Sequence, residues 1–383
     1  MKNYSFLIFF GVILSIHLLV NYFIYARGMA GFEAIPRFQI VFKWTILFLT
    51  IAYPLGRFLE HVWYNPMSHI LHWAGAFWFA GMLYTLLLIL VVDLFRGANH
   101  FIHFTPQNWS YTTTKLYVTL GVLSTVILIV LGGHINAWQT KITKSTIHIH
   151  KNGGTLKTLK IVAASDIHLG TIIGPRKTAK LVQTINSLSP DIVLFAGDVV
   201  DEDIGPVIAQ DLGRNLLNIH SKYGVYGIMG NHEYIGGADN ATTYLQAHGV
   251  NELRDSAVLI DNSFYVVGRE DKDKERFTHI GRASIDSLTT QLDKQKPIIL
   301  LDHQPFNLQN AVKAGVDLQI SGHTHHGQLW PIGYITSMIF EVSRGYKQIE
   351  NSHFWVSTGF GTWGPPVRTG NRPEILEITL IFD

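Results

Sequence analysis

The pattern of apolar and polar positions divides the chain into two parts. Up to about residue 140, four long segments contain almost no charged residues, and each is close to the roughly 20 apolar residues that span a bilayer as a helix. These segments are Ser5–Ala26, Ile40–Gly56, Ile70–Val92 and Leu116–Gly133. We therefore predict a transmembrane domain of four helices over residues 1–140.

Two other readings of these segments are less favourable. A signal peptide would explain only the first segment, whose apolar run is too long and is followed by no small-residue cleavage site. Buried helices of a large soluble core would rarely give four such runs in one block. His17 and His72 lie within the segments, and we expect them to line contacts between helices.

Four spans place both ends of the chain on the same side of the membrane. The Lys and Arg residues are nearly balanced between the two sides, so they do not decide the orientation. The loop Asn99–Thr114 contains no Lys or Arg, which favours an outward-facing loop. The part after residue 140 is then predicted to face the cytoplasm, and the protein to be a multi-pass protein of the cell membrane.

From Lys141 onward, short apolar strands repeatedly run into short polar loops, with helical patterns between them. The strand-and-loop segments are TIHIHKNGGTLKTLKIVAASDIH, PDIVLFAGDVVD, YGVYGIMGNHEY, KPIILLDHQP and VDLQISGHTHHGQ. The helical patterns cover Pro175–Leu188, Pro206–Leu217, Asp239–His248 and Phe306–Ala314. This alternation predicts an α/β domain over residues 141–383, with ligands bound beyond the carboxyl ends of its strands.

The amino-acid composition bears on the partners of the protein and on the residues that could bind a metal. A net charge of +2 without a basic cluster is too small to argue for a nucleic-acid partner. The absence of cysteine excludes disulfides, thiolate zinc sites and cysteine nucleophiles, which leaves His, Asp, Glu and Asn as metal ligands.

Asp, Asn and His residues recur at five predicted strand ends. They are Asp166 and His168, Asp198, Asn231 and His232, His303, and His323 and His325. Each has an ordinary explanation alone: Asp198 could cap a helix, and His303 could be a core histidine with satisfied hydrogen bonds. The histidine-rich run SGHTHHGQ could likewise be a solvated loop. Their recurrence at successive strand ends strongly favours a metal site.

In this order the motifs DIH, GDVVD, GNHE, a lone His303 and GHTH resemble the calcineurin-like metallophosphoesterase superfamily, over Leu159 to the C-terminus. GHTHHGQ and the tail GFGTWGPPVRTGNRPEI (Gly359–Ile375) are similar to its bacterial membrane-associated branch, the YkuE- and YaeI-type phosphoesterases. The resemblance implies a four-layer α/β/β/α sandwich. One departure is His326, where that branch usually has glycine.

The resemblance also implies two divalent metal ions bridged by Asp198, and hydrolysis by a hydroxide that bridges them. The implied ligands of the first ion are Asp166, His168 and His325, and those of the second are Asn231, His303 and His323. Manganese or iron is expected, and zinc also suits nitrogen and oxygen ligands.

Further residues are expected to assist. His232 would protonate the leaving oxygen or stabilise phosphoryl charge, and Asp201 and Glu233 would orient ligand histidines. Arg368 and Arg372 would bind a substrate phosphate in bidentate fashion, and an ion pair with Glu374 is the structural alternative.

The expected function is a membrane-anchored, metal-dependent phosphodiesterase or pyrophosphatase. An anchor next to the bilayer suits an amphipathic, lipid-linked phosphoester, although a tethered enzyme for soluble diesters fits the same sequence. The alternatives from other classes are a catalytically idle sensor or scaffold and a transporter with a regulatory domain. The complete ligand set argues against the former, and the absence of an intramembrane acid pair against the latter.

Overall fold

The computed structural model describes residues 2–103, 105–106 and 110–383, so Phe104 and residues 107–109 of the predicted outward loop lie outside the described residues. The chain forms two compact units, Met1–His134 and Ile135–Asp383. We describe each unit by itself.

The first unit is built from four helices, as the apolar segments predicted. They are α1 (Lys2–Gly31), α2 (Pro36–Val62), α3 (Pro66–Ile102) and α4 (Tyr111–Ala137), whose last residues belong to the second unit. All four are long and apolar enough to cross a membrane. Asn65 begins α3 through a capping box with Ser68, because its side chain accepts the amide hydrogens that have no partner within the helix.

Polar side chains inside this unit pair with one another across helices. His17 Nε2 lies 3.0 Å from the Thr50 carbonyl oxygen, and His72 Nδ1 lies 2.8 Å from Glu60 Oε2. Both histidines therefore line helix contacts, as expected. The buried carboxylate of Glu60 beside His72 was not anticipated from the sequence.

The second unit contains two six-stranded sheets. The first has the order β1-β12-β2-β3-β4-β5 and the second has the order β10-β11-β9-β8-β7-β6. The strands of the first sheet are β1 (Lys141–Ile149), β2 (Thr158–Ala164), β3 (Ile192–Phe195), β4 (Val225–Gly227), β5 (Val250–Glu252) and β12 (Glu374–Phe382). Those of the second are β6 (Ser256–Ile260), β7 (Phe264–Gly268), β8 (Ile298–Leu301), β9 (Leu318–Ser321), β10 (Gly345–Ile349) and β11 (Ser352–Val356).

The helices of this unit are mostly short. They are α5 (Pro175–Ser187), α6 (Gly205–Ala209), α7 (Gly213–Leu216), α8 (Asn231–Gly236), α9 (Ala238–Ala247), α10 (Lys274–Thr278), α11 (Ile285–Thr289), α12 (Gln309–Lys313) and α13 (Ile332–Ile339). The four predicted helical patterns correspond to α5, to α6 with α7, to α9 and to α12.

Three apolar cores separate four layers, which confirms the predicted α/β/β/α sandwich. Side chains alternate between the faces of each strand, so Leu159 and Ile161 of β2 enter the core between the sheets. Val162 of the same strand instead packs in a core with α5 and α9. On the other side of the molecule, Leu300 of β8 packs in a third core with α11 and α12.

The first sheet places a strand from the end of the chain between two strands from the start of the second unit. The strand–turn–strand pattern before residue 165 gives β1 and β2, but these strands do not pair with each other. Strand β12 lies between them, parallel to β1 and antiparallel to β2. Strands β2, β3 and β4 then run parallel, so their carboxyl ends meet at one edge.

Candidate metal centre

The predicted ligands lie in the loops that follow β2, β3, β4, β8 and β9. Of these residues, Asp166, His168, Asp198, His303 and His325 are buried, and Asn231 and His323 are partly exposed. Three groups, each with donor atoms within 4.8 Å of one another, are Asp166 with His168 and His325, Asp166 with Asp198 and His303, and His168 with Asp198 and His232. The structure thus brings together residues that are up to 159 positions apart in the sequence.

Asp198 occupies the centre of this cluster. Its Oδ2 atom lies 3.1 Å from His303 Nε2 and 3.9 Å from His168 Nε2. Its Oδ1 atom accepts the backbone N–H of His232 at 2.9 Å. One carboxylate oxygen therefore lies near a histidine from each of the two implied ligand sets.

The two sides of the cluster contain further close donor pairs. His168 Nε2 and His325 Nε2 are 3.0 Å apart, and Asp166 Oδ1 is 3.4 Å from His325 Nε2. On the other side, Asn231 Oδ1 and His323 Nδ1 are 2.8 Å apart. Each of these pairs belongs to one of the two ligand sets implied by the resemblance, whereas Asp166 also forms a group with His303 of the second set.

Several of these residues have an unusual backbone conformation. Left-handed φ values occur at five of the seven predicted ligands, namely Asp166 (49°), His168 (53°), Asp198 (52°), His323 (68°) and His325 (44°). Non-glycine residues rarely adopt this conformation, and such strain concentrates at functional sites. The strand-end loops thus turn sharply enough to aim these side chains inward.

Glycines next to the ligands provide the space for this turn. A Cβ at Gly230 would lie 2.1 Å from Asp198 Oδ1, and one at Gly322 would lie 2.3 Å from Asp166 Oδ2. Only glycine fits such close approaches.

Glu233 and Asp201 stabilise the cluster from outside, in different ways. Buried Glu233 accepts backbone N–H groups of Asp198 (3.1 Å), Val200 (2.9 Å) and Gly230 (2.7 Å). It therefore fixes the loop of Asp198 and not a histidine, contrary to expectation. Asp201 Oδ1 does lie beside histidines, 3.0 Å from His232 Nδ1 and 3.6 Å from His168 Nδ1.

The charges in the cluster shift its ionisation. Burial alone lowers the pKa of His232, but Asp198 and the hydrogen-bonded Asp201 outweigh it and raise the pKa to about 10. Burial and the neighbouring His303 lower the pKa of His323 to about 3. Burial raises the pKa of Asp198, yet His303 and His232 outweigh it and hold that pKa well below its usual range. His232 is therefore a cation beside neutral His323 and an ionised Asp198.

The two predicted substrate-binding arginines differ in exposure. Arg368 is completely buried, and its guanidinium donates to the carbonyl oxygens of Gly359 (3.1 Å) and Gly361 (2.6 Å) and lies 3.3 Å from His325 Nδ1. This burial does not suit contact with a substrate, so we correct its expected role to support of the His325 loop. Arg372 is exposed, and its Nε donates to Asn136 Oδ1 at 3.2 Å. Neither forms the alternative ion pair with Glu374 among the salt bridges of the described residues.

Sequence reasoning missed three residues that contact the predicted ligands. Ser165 Oγ donates to Asp166 Oδ2 at 2.5 Å, Asn371 Nδ2 donates to the His325 carbonyl oxygen at 2.5 Å, and the Phe340 ring packs edge-on against His323 with centroids 5.8 Å apart. The position of Ser165 directly before a ligand was a usable signal. Asn371 and Phe340 carried none.

A four-layer sandwich with Asp, Asn and His side chains gathered at its strand ends defines a class of hydrolytic metalloproteins. Residues 159–327 match the family model for calcineurin-like phosphoesterases. The chain is 34% identical over 261 residues to an uncharacterised metallophosphoesterase of Aquifex aeolicus, covering 66% of this chain and 97% of that protein. The chain therefore belongs to the calcineurin-like metallophosphoesterase family.

Two further relatives refine this placement. A bovine transmembrane protein with a metallophosphoesterase domain is 29% identical over 275 residues, which cover 68% of this chain and 62% of that protein. The uncharacterised metallophosphoesterase YkuE of Bacillus subtilis is 29% identical over 230 residues, 58% of this chain and 78% of that protein. The resemblance to YkuE-type and membrane-associated members is thereby confirmed.

Proposed function

We propose that the protein is a membrane-anchored phosphoesterase that hydrolyses a phosphodiester or pyrophosphate, including a lipid-linked one, with two divalent metal ions. Membership of the metallophosphoesterase family supports a metal-dependent phosphoesterase. The assignment of a metal site to this cluster depends mainly on one observation, the orientation of the His303 ring toward Asp198.

His303 has the orientation of a ligand histidine. Its Nδ1 lies 2.7 Å from the Ala196 carbonyl oxygen, which can only accept, so Nδ1 carries a hydrogen. Its Nε2 therefore faces the Asp198 carboxylate at 3.1 Å. Burial lowers the pKa of His303, but Asp198 outweighs it and raises that pKa well above its usual range. A bound cation would take the place of the proton on Nε2, and the Nδ1–H bond to a carbonyl is typical of ligand histidines.

We propose that Asp166, His168 and His325 would hold one ion, that Asn231, His303 and His323 would hold the other, and that Asp198 would belong to both sets. Bound divalent ions in such a pair acidify water and offset charge on the phosphoryl oxygens. The low pKa of His323 keeps its imidazole neutral and able to bind a cation. Manganese or iron is our choice of metal, and zinc is compatible with the same donors.

His232 is the proposed general acid. Its backbone N–H is bound to Asp198, and its ring is held by Asp201, so its position at the edge of the cluster is fixed from both ends. The carboxylates of Asp198 and Asp201 keep the imidazole protonated, and a cation held by Asp198 would lower its pKa. A proton held there can pass to the leaving oxygen as the phosphoester bond breaks.

Arg372 remains the proposed contact for a substrate phosphate, since its guanidinium is exposed and its sequence neighbour Asn371 touches the His325 loop. The apolar spans support an anchor in the cell membrane. The lack of Lys and Arg in the loop Asn99–Thr114 supports a cytoplasmic position for the phosphoesterase unit. A catalytically idle scaffold is the alternative function, but it gives no reason to retain both the full donor set and His232.

Asp198→Asn and His323→Ala variants of the full chain test the assignment. Each should lose bound metal and at least about 100-fold of its hydrolysis rate, because removal of one ligand weakens the ion that activates the reaction. Metal content and turnover are measured with Mn²⁺ on diester, monoester, nucleotide and lipid-pyrophosphate substrates. The exposed His220→Ala should change neither. Full occupancy and activity in either ligand variant would contradict the site, and bound metal without hydrolysis of any substrate would favour the scaffold.

A further inference from the structure

An apolar helix lies on the surface next to the candidate metal centre. None of the eight residues of α13 is buried. Tyr334, Ile335, Met338 and Ile339 are 65%, 56%, 85% and 59% exposed. The surrounding segment Leu329–Phe340 contains no charged residue. A soluble surface rarely exposes so many large apolar side chains on one short element.

Two tryptophans extend this surface, which we call the α13 face: Trp330, Tyr334, Ile335, Met338, Ile339 and Trp363. Both tryptophans are 54% exposed. Gln328 fixes Trp363 beside the segment that leads to α13, because its side chain both donates to the Trp363 carbonyl oxygen (3.1 Å) and accepts the Trp363 N–H (2.9 Å). Tryptophan and tyrosine are the residues enriched where protein meets the headgroup region of a bilayer.

The α13 face is attached to the loop of the predicted ligands. A Cβ on Gly333 would lie 3.1 Å from His326 Nε2, and His326 Nδ1 lies 2.8 Å from Ser343 Oγ, just after the helix. Phe340, at the end of α13, contacts the ring of His323. His326, which has no place among the predicted ligands, thus connects the metal loop to α13.

The same face is connected to the residues where the second unit begins. Asn136 Nδ2 donates to the carbonyl oxygens of Arg368 and Asn371, at 2.8 Å each. Between these two, the N–H groups of Thr369 and Gly370 donate to the Gln328 carbonyl oxygen at 3.1 and 3.0 Å. The Trp330 N–H also donates to Thr369 Oγ1 at 2.9 Å. The 368–371 segment therefore lies between the α13 face and Asn136, near the start of the second unit.

We propose that the α13 face inserts into the interface of the bilayer that holds the four helices. Its occupant is lipid, at the level where headgroups meet acyl chains. An uncharged helix flanked by tryptophans suits this depth, about 5–10 Å into the headgroup boundary. The hydrogen bonds of Gln328 and Asn136 to the 368–371 segment link the face to the part of the second unit that the chain enters from α4. The metal centre would then face lipid headgroups. The contact between the α13 face and lipid does not depend on whether the protein hydrolyses a phosphoester.

The chain has no cysteine, so single cysteines can carry a nitroxide label without background. We would label Met338→Cys and Ile335→Cys in the full chain, reconstituted in vesicles of phosphatidylethanolamine and phosphatidylglycerol. The matched control is Leu217→Cys, an apolar position that is 57% exposed. It ends α7 and leads to the start of β4, away from the strand ends where the metal loops lie.

Collisions with oxygen and with a water-soluble nickel complex then report the depth of each label. Labels at 338 and 335 should favour oxygen and lie about 5–10 Å below the lipid phosphates, whereas the label at 217 should favour the nickel complex. If the protein floats with the vesicles but both α13 labels are exposed to water, the proposed lipid contact is wrong and the membrane anchor stands. Dipolar broadening between α13 labels would instead identify a second copy of the chain as the occupant. Failure to float would overturn the contact together with the anchor.

Discussion

At the scale of single residues, Asp198 contacts His232 differently from the proposed ligands His303 and His168. Its carboxylate faces His303 and His168, whereas it binds His232 only through the backbone N–H. A side chain held in this way can be removed without removing the contact to Asp198. This distinction makes His232 the informative residue for the reaction.

His232→Ala should therefore retain bound metal but lose about 10²–10⁴-fold in turnover, the usual range for a general acid. The loss should be smaller for a nitrophenyl ester, whose leaving group needs no proton, than for an alkyl ester. Metal analysis together with kcat for the two esters checks both parts. Equal losses on the two esters would mean that His232 acts on phosphoryl charge and not on the leaving group.

Lys177 gives the second unit a pH-dependent stability. It is buried, 4% exposed, and donates to the Ala137 carbonyl oxygen. Burial, helped by Arg368 and Lys180, lowers its pKa to about 7. The unfolded chain binds this proton more tightly, so the free energy of unfolding should rise with pH from about 7 to about 10.5, by up to about 1.4 kcal/mol per pH unit.

Thermal unfolding of the wild type and Lys177→Met between pH 7 and 9 measures this effect. The wild-type Tm should gain more over that range than the variant, whose side chain has no proton to lose. Parallel curves would assign the pH dependence to other groups.

At the scale of elements, the short loops after the strands set the geometry of the centre. In Gly230→Ala, the new Cβ would lie 2.1 Å from Asp198 Oδ1 and 2.6 Å from its backbone nitrogen. Such overpacking typically costs about 1–3 kcal/mol, and here it would displace the shared carboxylate. We expect reduced metal content and reduced Tm.

The control for this substitution is Gly281→Ala, where a Cβ would meet nothing within 4 Å. It should leave metal content, Tm and turnover unchanged. A Gly230→Ala protein with normal metal content would show that the loop can move without loss of the site.

The sequence allowed much of the site to be predicted because its residues follow continuous apolar strands. The carboxyl ends of parallel strands lie at one edge, so Asp166 and Asp198 could be expected to meet. The left-handed backbone at Asp166 and His325 could not be predicted, since it depends on loops packed in three dimensions. The burial of Arg368 could not be predicted either. Its partners are the backbone carbonyls of Gly359 and Gly361, and the order of side chains along the sequence does not reveal such contacts.

At the scale of the whole molecule, the stability of a shortened chain without the spans should depend on the residue at which it begins. Asn136 donates to the 368–371 segment, and Lys177 and Lys180 donate to the carbonyl oxygens of Ala137 and Trp138. A chain that begins at Lys141, the predicted boundary, would lack these acceptors, and the loss of the hydrogen bond of buried Lys177 would cost about 1–3 kcal/mol. A chain that begins at Ile135 would keep them.

Both shortened chains should fold and cleave a small soluble diester, with a lower Tm for the one that begins at Lys141. On a lipid phosphoester in vesicles, the full chain should be much faster than either, because the anchor raises the effective concentration at the surface. The comparison uses kcat/KM on both substrates. Equal loss on both would mean that the helices complete the fold of the second unit, and no loss on either would indicate a soluble substrate.

Strand β12 also delays the folding of the first sheet during synthesis of the protein. It fills the gap between β1 and β2, so the first sheet cannot close until Phe382 has left the ribosome. Roughly 225 residues lie between the end of β1 and the start of β12, and at about 5–20 residues per second their translation takes on the order of 10–45 s. During that time the unpaired edges of β1 and β2 are open to chaperones or to other nascent chains.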